Sequence, residues 1–175
     1  MEFRTLSSRL VYEGRVFDLL RDEVRYPDGR LATFEVLRHG GAVAMLAQDE
    51  GGELLFVRQY RHAIRETLLE IPAGRLEAGE EPLQTAQREL KEEAGMAAAK
   101  WRALGSFLVA PGYSDEVIHL FYASELRPET LPQDEDEEIE VVRLSPGEAR
   151  KQLREGGIRD AKSALALKLA EALLD

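Results

Sequence analysis

The stretch from Gly74 to Met96, GRLEAGEEPLQTAQRELKEEAGM, decides how the rest of the chain is read. Within it, Leu83, Ala86, Leu90 and Ala94 recur at helical spacing, so Pro82 to Ala94 is expected to be an amphipathic helix. Pro82 suits the first helical position and Gly95 suits the left-handed position after the last turn. Glu81, just before the proline, is a poorer cap than Ser or Asp. Glu89, Glu92 and Glu93 are related by three and four residues, so they share a face beside the apolar one. Three clustered carboxylates repel one another, and Arg88 and Lys91 supply only two nearby cations. Hard divalent ions with oxygen ligands, Mg²⁺ or Mn²⁺, are natural compensators. A Glu-rich helix face is more often simply solvated. What shifts the balance is Pro72-Ala73-Gly74 with Gly79 just upstream, a tight turn where backbone can approach a ligand and a carbonyl can add another hard oxygen.

Upstream of this helix the chain reads as strands. Arg15 to Arg25 and Arg30 to Arg38 are β-rich runs joined by the turn Pro27-Asp28-Gly29. Ala42 to Ala47, Glu53 to Arg58 and Thr67 to Ile71 follow. Downstream, strands are expected at Ala103 to Val109, Val117 to Ala123 and Ile139 to Leu144. Ser145-Pro146-Gly147-Glu148 is a capping box opening a helix that stops at Gly156-Gly157, and Asp160 to Leu174 reads as a last amphipathic helix. Strands, one internal helix, more strands and then helices make an α+β chain, not a regular βαβ alternation. Residues 1–40 are expected to form a small sheet apart from a main body at 41–175.

Composition narrows the function. At 175 residues, with 44% hydrophobic and 32% charged, the chain is one ordinary globular domain with room for a short extension. Its formal net charge of −10 weighs against nucleic acid or an anionic membrane as partner. The absence of cysteine excludes disulfides, thiolate nucleophiles and zinc–sulfur sites. The charged start, Met1-Glu2-Phe3-Arg4, has no apolar signal-peptide core, and no window has the length of a membrane span, so a soluble cytoplasmic protein is expected. Acid is unevenly spread: residues 77–93 hold six acidic residues, and 129–140 hold seven with no Lys or Arg. The second cluster, Glu129, Asp134, Glu135, Asp136, Glu137, Glu138 and Glu140, precedes the Ile139 strand or opens it. His39, His62 and His119 show no metal-ligand spacing and are expected to be structural or exposed.

The Gly74 to Met96 stretch resembles the Nudix box. It has Gly74, Glu80, Arg88-Glu89, an apolar residue, Glu92-Glu93, then Gly95 and apolar Met96 at the defining spacings. The resemblance extends to Phe56-Val57-Arg58-Gln59-Tyr60-Arg61, Glu70-Ile71-Pro72-Ala73-Gly74, Ala110 to Glu116, and Asp134-Glu135-Asp136-Glu137. These look like the ADP-ribose pyrophosphatase branch, whose marker proline is matched by Pro111, sixteen residues after Gly95. The Glu81-Pro82 pair departs from the Ser-Pro often found there, which affects capping rather than chemistry.

The resemblance implies an α/β/α sandwich with a mixed sheet, plus a small N-terminal antiparallel sheet that exchanges in a homodimer. It implies hydrolysis of ADP-ribose to AMP and ribose 5-phosphate with two or three Mg²⁺, or Mn²⁺, per site. The same chemistry on GDP-mannose or another nucleotide sugar, on NADH or on FAD is the alternative, and a non-catalytic ADP-ribose sensor is a third reading. Glu89 and Glu93 become metal ligands with the Ala73 carbonyl, and Glu92 a further ligand or outer-shell group with a catalytic part. Arg88 orients the carboxylates, Glu80 is a structural partner of the helix, and Gly74 and Gly95 are conformational. Glu135 becomes the base, with Glu137 or Glu138 in competition, and Glu137 also a metal ligand. For substrate, Arg61 is assigned to the phosphates, Glu116 to the terminal ribose and Glu35 to the adenine amino group, each with a surface salt bridge as the alternative. Ala110, Pro111 and Gly112 shape the ribose side, and Phe17 or Tyr26 stacks on adenine.

Overall fold

The structure, a computed structural model, describes residues 2–132 and 138–174. The described residues divide into two compact units, one made of 2–41 and 107–118, the other of 42–106, 119–132 and 138–174.

The first unit is a three-stranded antiparallel sheet of β1 (Arg4–Glu13), β2 (Phe17–Arg25) and β3 (Leu31–His39), in that order. The β2–β3 turn closes where Pro27-Asp28-Gly29 places it: Gly29 has φ 89° and its N–H donates to the Tyr26 carbonyl at 2.9 Å. β1 was not anticipated as a strand. Its pairing with β2 is interrupted between Thr5 and Ser7 and again between Leu10 and Tyr12, and every residue of it is exposed. Two irregularities break the period of two that would have revealed it. The unit also takes in the tip of a hairpin from farther along the chain. Leu37 N–H donates to the Tyr113 carbonyl at 2.8 Å, and His39 N–H donates to Asp115 Oδ1 at 2.7 Å.

The second unit holds β4 (Ala42–Gln48), β5 (Leu54–Arg61), β6 (Glu66–Glu70), β7 (Ala73–Arg75), β8 (Met96–Leu108), β9 (Val117–Pro128) and β10 (Ile139–Leu144). They form one mixed sheet in the order β10-β5-β4-β9-β8, with β6 added to β5 and β7 to β4. Three helices accompany it among the described residues: α1 (Pro82–Ala94), α2 (Pro146–Glu155) and α3 (Ala161–Leu169). β4 explains why helices cover both faces. Val43, Met45 and Ala47 point one way and pack with Ala86 and Leu90 of α1, while Ala44 and Leu46 point the other way and are equally buried. A strand buried on both sides reads as the continuous apolar run AVAMLA. The fold is α+β.

Several element boundaries differ from the sequence reading. Ala73–Arg75, expected as part of a turn, is a short strand paired with Ala42 to Ala44. β8 begins at Met96 instead of Ala103, because tertiary pairing overrides the helical preference of Ala97, Ala98 and Ala99. The last helix ends at Leu169 and tightens into a 3₁₀ turn at Glu171–Leu173, which leaves both Ala170 and Leu174 buried. Leu83, assigned to the apolar face of α1, is 39% exposed; the buried stripe is Thr85, Ala86, Glu89, Leu90 and Glu93.

Candidate metal and active site

Helix α1 supplies most of the site. Gly95 ends it in the left-handed region, with φ 65°, and its N–H donates to the Leu90 carbonyl. At the other end Gln84 Oε1 accepts from the Glu81 N–H at 3.3 Å, so a glutamine at the third position compensates for a weak capping residue. The helix buries two carboxylates that an ordinary amphipathic helix would leave in water: Glu93 is 2% exposed and Glu89 is 8%.

Each of these groups has a partner. Arg88 Nη1 donates to Glu89 Oε1 and to Glu92 Oε2, both at 2.8 Å. Arg88 Nε reaches Glu80 Oε1 at 3.2 Å, and its Nη2 reaches Glu80 Oε2 at 3.1 Å and the Arg75 carbonyl at 3.2 Å. Burial alone would lower the affinity of this guanidinium for its proton, but the Glu80, Glu89 and Glu92 carboxylates raise it far above the ordinary value. Glu80 is held below the usual carboxylate range, chiefly by Arg88, with help from the Thr85 hydroxyl at 2.8 Å. Glu93 Oε2 accepts from the Ala73 N–H at 2.8 Å, tying the helix to β7. Lys91, counted above as a compensating charge, is turned to Glu129 at 2.7 Å. One guanidinium therefore serves Glu80, Glu89 and Glu92 together.

Gly74 shows why the box needs a residue without a side chain there. A Cβ on Gly74 would lie 1.9 Å from both Cδ and Oε1 of Glu89. The Glu89 carboxylate thus rests directly against the β7 backbone, in space that any other residue would fill. Among the described residues no three His, Asp or Glu side chains converge tightly enough to hold a metal by themselves. The donor chemistry nevertheless fits a hard divalent cation: several carboxylate oxygens crowded against a backbone turn.

The acidic cluster before β10 is only partly described. Glu135 and Glu137 lie outside the described residues. The segment leading into them is anchored on α1: Glu129 N–H donates to the Gly95 carbonyl at 3.0 Å and Leu131 N–H to the Lys91 carbonyl at 3.2 Å. Glu138 is exposed.

The substrate assignments fall in both units. Arg61, at the end of β5, lies in the second and places Nη2 2.6 Å from Glu70 Oε2. Glu35, on β3 opposite Arg21, belongs to the first. So do Ala110, Pro111, Gly112 and Glu116 in the hairpin tip, where the Ala110 carbonyl accepts from the Tyr113 and Ser114 N–H groups. Phe17 is 39% exposed, and Tyr26 stacks with Phe34 and meets Phe3 edge-on. His39 Nδ1 accepts from the Gly41 N–H, His119 Nδ1 shares a hydrogen with Ser106 Oγ, and His62 lies edge-on to Tyr60. The sequence reading gave no role to Glu70, Lys162 or Ser163. Glu70 stood inside a quoted motif, but nothing marked it as a buried acid.

The NUDIX domain family matches residues 38–166, most of the chain. The chain belongs to the NUDIX family. Residues 3–37 match the nucleoside diphosphate sugar hydrolase N-terminal domain. The chain is 40% identical to an ADP-ribose pyrophosphatase of Bacillus subtilis, covering 99% of this chain and 96% of that one. It is 39% identical to a methanol dehydrogenase activator of Bacillus methanolicus, covering 98% and 96%. A solved structure described as an ADP compounds hydrolase superposes with a TM-score of 0.87 at 25% identity, covering 99% of this chain and 95% of that one. This NUDIX member is a hydrolase by family, and NUDIX hydrolases generally use divalent metals.

Proposed function

We propose that this chain hydrolyses the pyrophosphate of ADP-ribose, giving AMP and ribose 5-phosphate. The observation that carries the proposal is the burial of Glu89 and Glu93 against the Ala73-Gly74 backbone, in a chain similar along its whole length to an ADP-ribose pyrophosphatase.

The substrate is an anion, and a bare carboxylate cluster would repel it. Two or three Mg²⁺ or Mn²⁺, when bound, would supply the neutralising charge and lower the pKa of a water. Glu89, Glu92, Glu93 and the Ala73 carbonyl would hold them, with Glu137 added from the acidic segment. Arg88 keeps the Glu89 and Glu92 carboxylates oriented, and Glu80 in turn fixes Arg88. Glu135 takes the proton of the attacking water, with Glu137 or Glu138 the competing base. Arg61 faces the phosphates, Glu116 the terminal ribose and Glu35 the adenine amino group. Ala110, Pro111 and Gly112 shape the ribose side, and Phe17 or Tyr26 stacks on the base. Phosphoryl transfer asks mainly for such positioning and charge neutralisation.

The reading divides the chain at 1–40 and 41–175, the first part exchanging between two copies in a cytoplasmic homodimer. Leu10, Val11 and Tyr12 of β1 are 45–58% exposed, as is Phe3 just before it, which supports a covering partner. No helix among the described residues is long and apolar enough to cross a membrane.

A substrate panel tests the proposal: ADP-ribose, GDP-mannose, NADH, FAD and diadenosine polyphosphates compared by kcat/KM in Mg²⁺, with a chelator control. Preference for ADP-ribose, lost on chelation, is the expected result. Preference for another compound would retain the chemistry and overturn the substrate assignment. No turnover of any member would favour a sensor.

A further inference from the structure

Residues 71–72 join β6 to β7, which opens at Ala73, and Pro72 has no N–H to offer. The two donors of this turn are therefore the N–H groups of Ile71 and Ala73. Each donates to a helix side chain. Ile71 N–H donates to Ser163 Oγ at 2.8 Å, and Ala73 N–H donates to Glu93 Oε2 at 2.8 Å. The turn is slung between side chains of two helices, α3 on one side and α1 on the other, with the Pro72 carbonyl accepting from the Met45 N–H at 3.0 Å.

The α3 end of this suspension is itself held by hydrogen bonds and an ion pair. Ser163 is fully buried, and its own N–H donates to Asp160 Oδ1 at 3.1 Å, which caps the helix. Lys162 Nζ lies 3.0 Å from Asp160 Oδ1 and 2.5 Å from Glu70 Oε2. Glu70 immediately precedes the turn and is 2% exposed. A carboxylate so deep persists only with cations on it, and Lys162 from α3 and Arg61 from β5 provide them. Two adjacent residues of α3 thus grip two adjacent residues of the chain, Lys162 on Glu70 and Ser163 on Ile71.

We infer that the first turn of α3 is a positioning element for the metal site, with Ser163 and Lys162 as the positioning residues that hold the Ile71-Pro72-Ala73 turn where its carbonyl and Glu93 serve the cation. This rests on the reading of Ala73 and Glu93 as ligands. Without the Ser163 hydroxyl, Ile71 loses its acceptor and the turn can shift, carrying the Ala73 N–H away from Glu93. Without the Lys162 ammonium, Glu70 keeps Arg61 alone, and the residue anchoring the turn relaxes toward β5.

The test is Mn²⁺ binding to the full-length protein without substrate, read by the electron paramagnetic resonance of free Mn²⁺. Thermal melts establish that each variant is folded at the assay temperature. Ser163→Ala and Lys162→Met are each expected to weaken Mn²⁺ binding about tenfold, the usual scale for groups behind metal ligands, with Lys162→Arg restoring most of it. Glu93→Gln serves as the ligand control. Unchanged Mn²⁺ affinity in Ser163→Ala and Lys162→Met, with Glu93→Gln weakened, overturns the positioning role and leaves the metal site standing. Unchanged affinity in Glu93→Gln overturns the metal assignment and this inference with it. Should Ser163→Ala fail to fold, the Lys162→Met and Lys162→Arg pair decides alone.

Discussion

Replacing Gly74 by Ala would put a Cβ 1.9 Å from Cδ and Oε1 of Glu89 and 2.4 Å from Oε2. Ordinary contact needs about 3.5 Å, so the carboxylate must retreat by about 1.5 Å. It can do so, because the obstacle is the far end of a flexible side chain and Gly74 does not occupy the left-handed region. The retreat takes Glu89 Oε1 out of hydrogen-bond range of Arg88 Nη1, now 2.8 Å away. A hydrogen bond of that charged kind contributes about 1.5–3 kcal/mol. The lower entropy of an unfolded chain with Ala in place of Gly offsets roughly 0.4–1 kcal/mol of the loss. The net cost of about 1–2 kcal/mol corresponds to a Tm lower by only several degrees, about 2–8 °C for a chain of this size. Activity should fall far more, because misplacing a catalytic group by about 1 Å costs on the order of 100-fold. The assay is kcat/KM for ADP-ribose in Mg²⁺, paired with a thermal melt. Gly147→Ala in α2 is the comparison, since a Cβ there meets nothing nearer than Ser145 Oγ at 3.9 Å. A Gly74→Ala enzyme within about threefold of the parent would refute the reasoning.

Other substitutions probe other parts. Glu93→Gln should reduce kcat by about 100-fold or more at saturating Mg²⁺, and near-normal turnover would remove Glu93 from the ligands. Glu135→Gln should lower kcat by about 100-fold while Mn²⁺ affinity holds; an unchanged kcat would move the base elsewhere. Burial pushes the Glu70 carboxyl up, but Arg61 and Lys162 outweigh it and hold it below its ordinary value. Its contribution to stability is therefore present above its unfolded pKa and lost as pH falls through the folded one. Denaturant titrations from pH 6 to pH 3 should show a steeper decline in the parent than in Glu70→Gln, and parallel curves would contradict this. Leu10→Glu with Tyr12→Glu on the N-terminal sheet should shift a dimer toward monomer in sedimentation, whereas an unaltered sedimentation profile would refute exchange through β1.

What was legible in the sequence was what repeats or is chemically costly. Three glutamates at helical spacing, closed by Gly95 and preceded by Gly74, announced helix α1 and its acidic stripe because such crowding needs a compensating partner. Ala42 to Ala47 was legible because a strand buried on both faces is apolar throughout. β1 was not, since its two irregularities destroy the alternation. The Ala73–Arg75 strand was hidden by a Pro-Ala-Gly sequence that looks like a turn and pairs only over three residues. The neutralising role of Arg88 toward Glu80, Glu89 and Glu92 could be guessed from proximity, but the diversion of Lys91 to Glu129 could not. Nor could Glu70 meeting Lys162, a pair separated by 92 residues that only the packing of α3 brings together.

The hairpin that carries Ala110 to Glu116 has a divided allegiance: its stem is built into the seven-stranded sheet, and its tip is stitched to β3. Anyone wishing to retune this enzyme by transplanting that loop from a relative inherits the stitching. Leu37 exchanges backbone hydrogen bonds with Tyr113 and Asp115, and His39 leans on the Asp115 carboxylate. A grafted tip without matching residues at 37 and 39 would arrive without its moorings. The smallest transferable cassette is thus two pieces of chain some seventy residues apart, and libraries that vary only one of them are searching half of the relevant space.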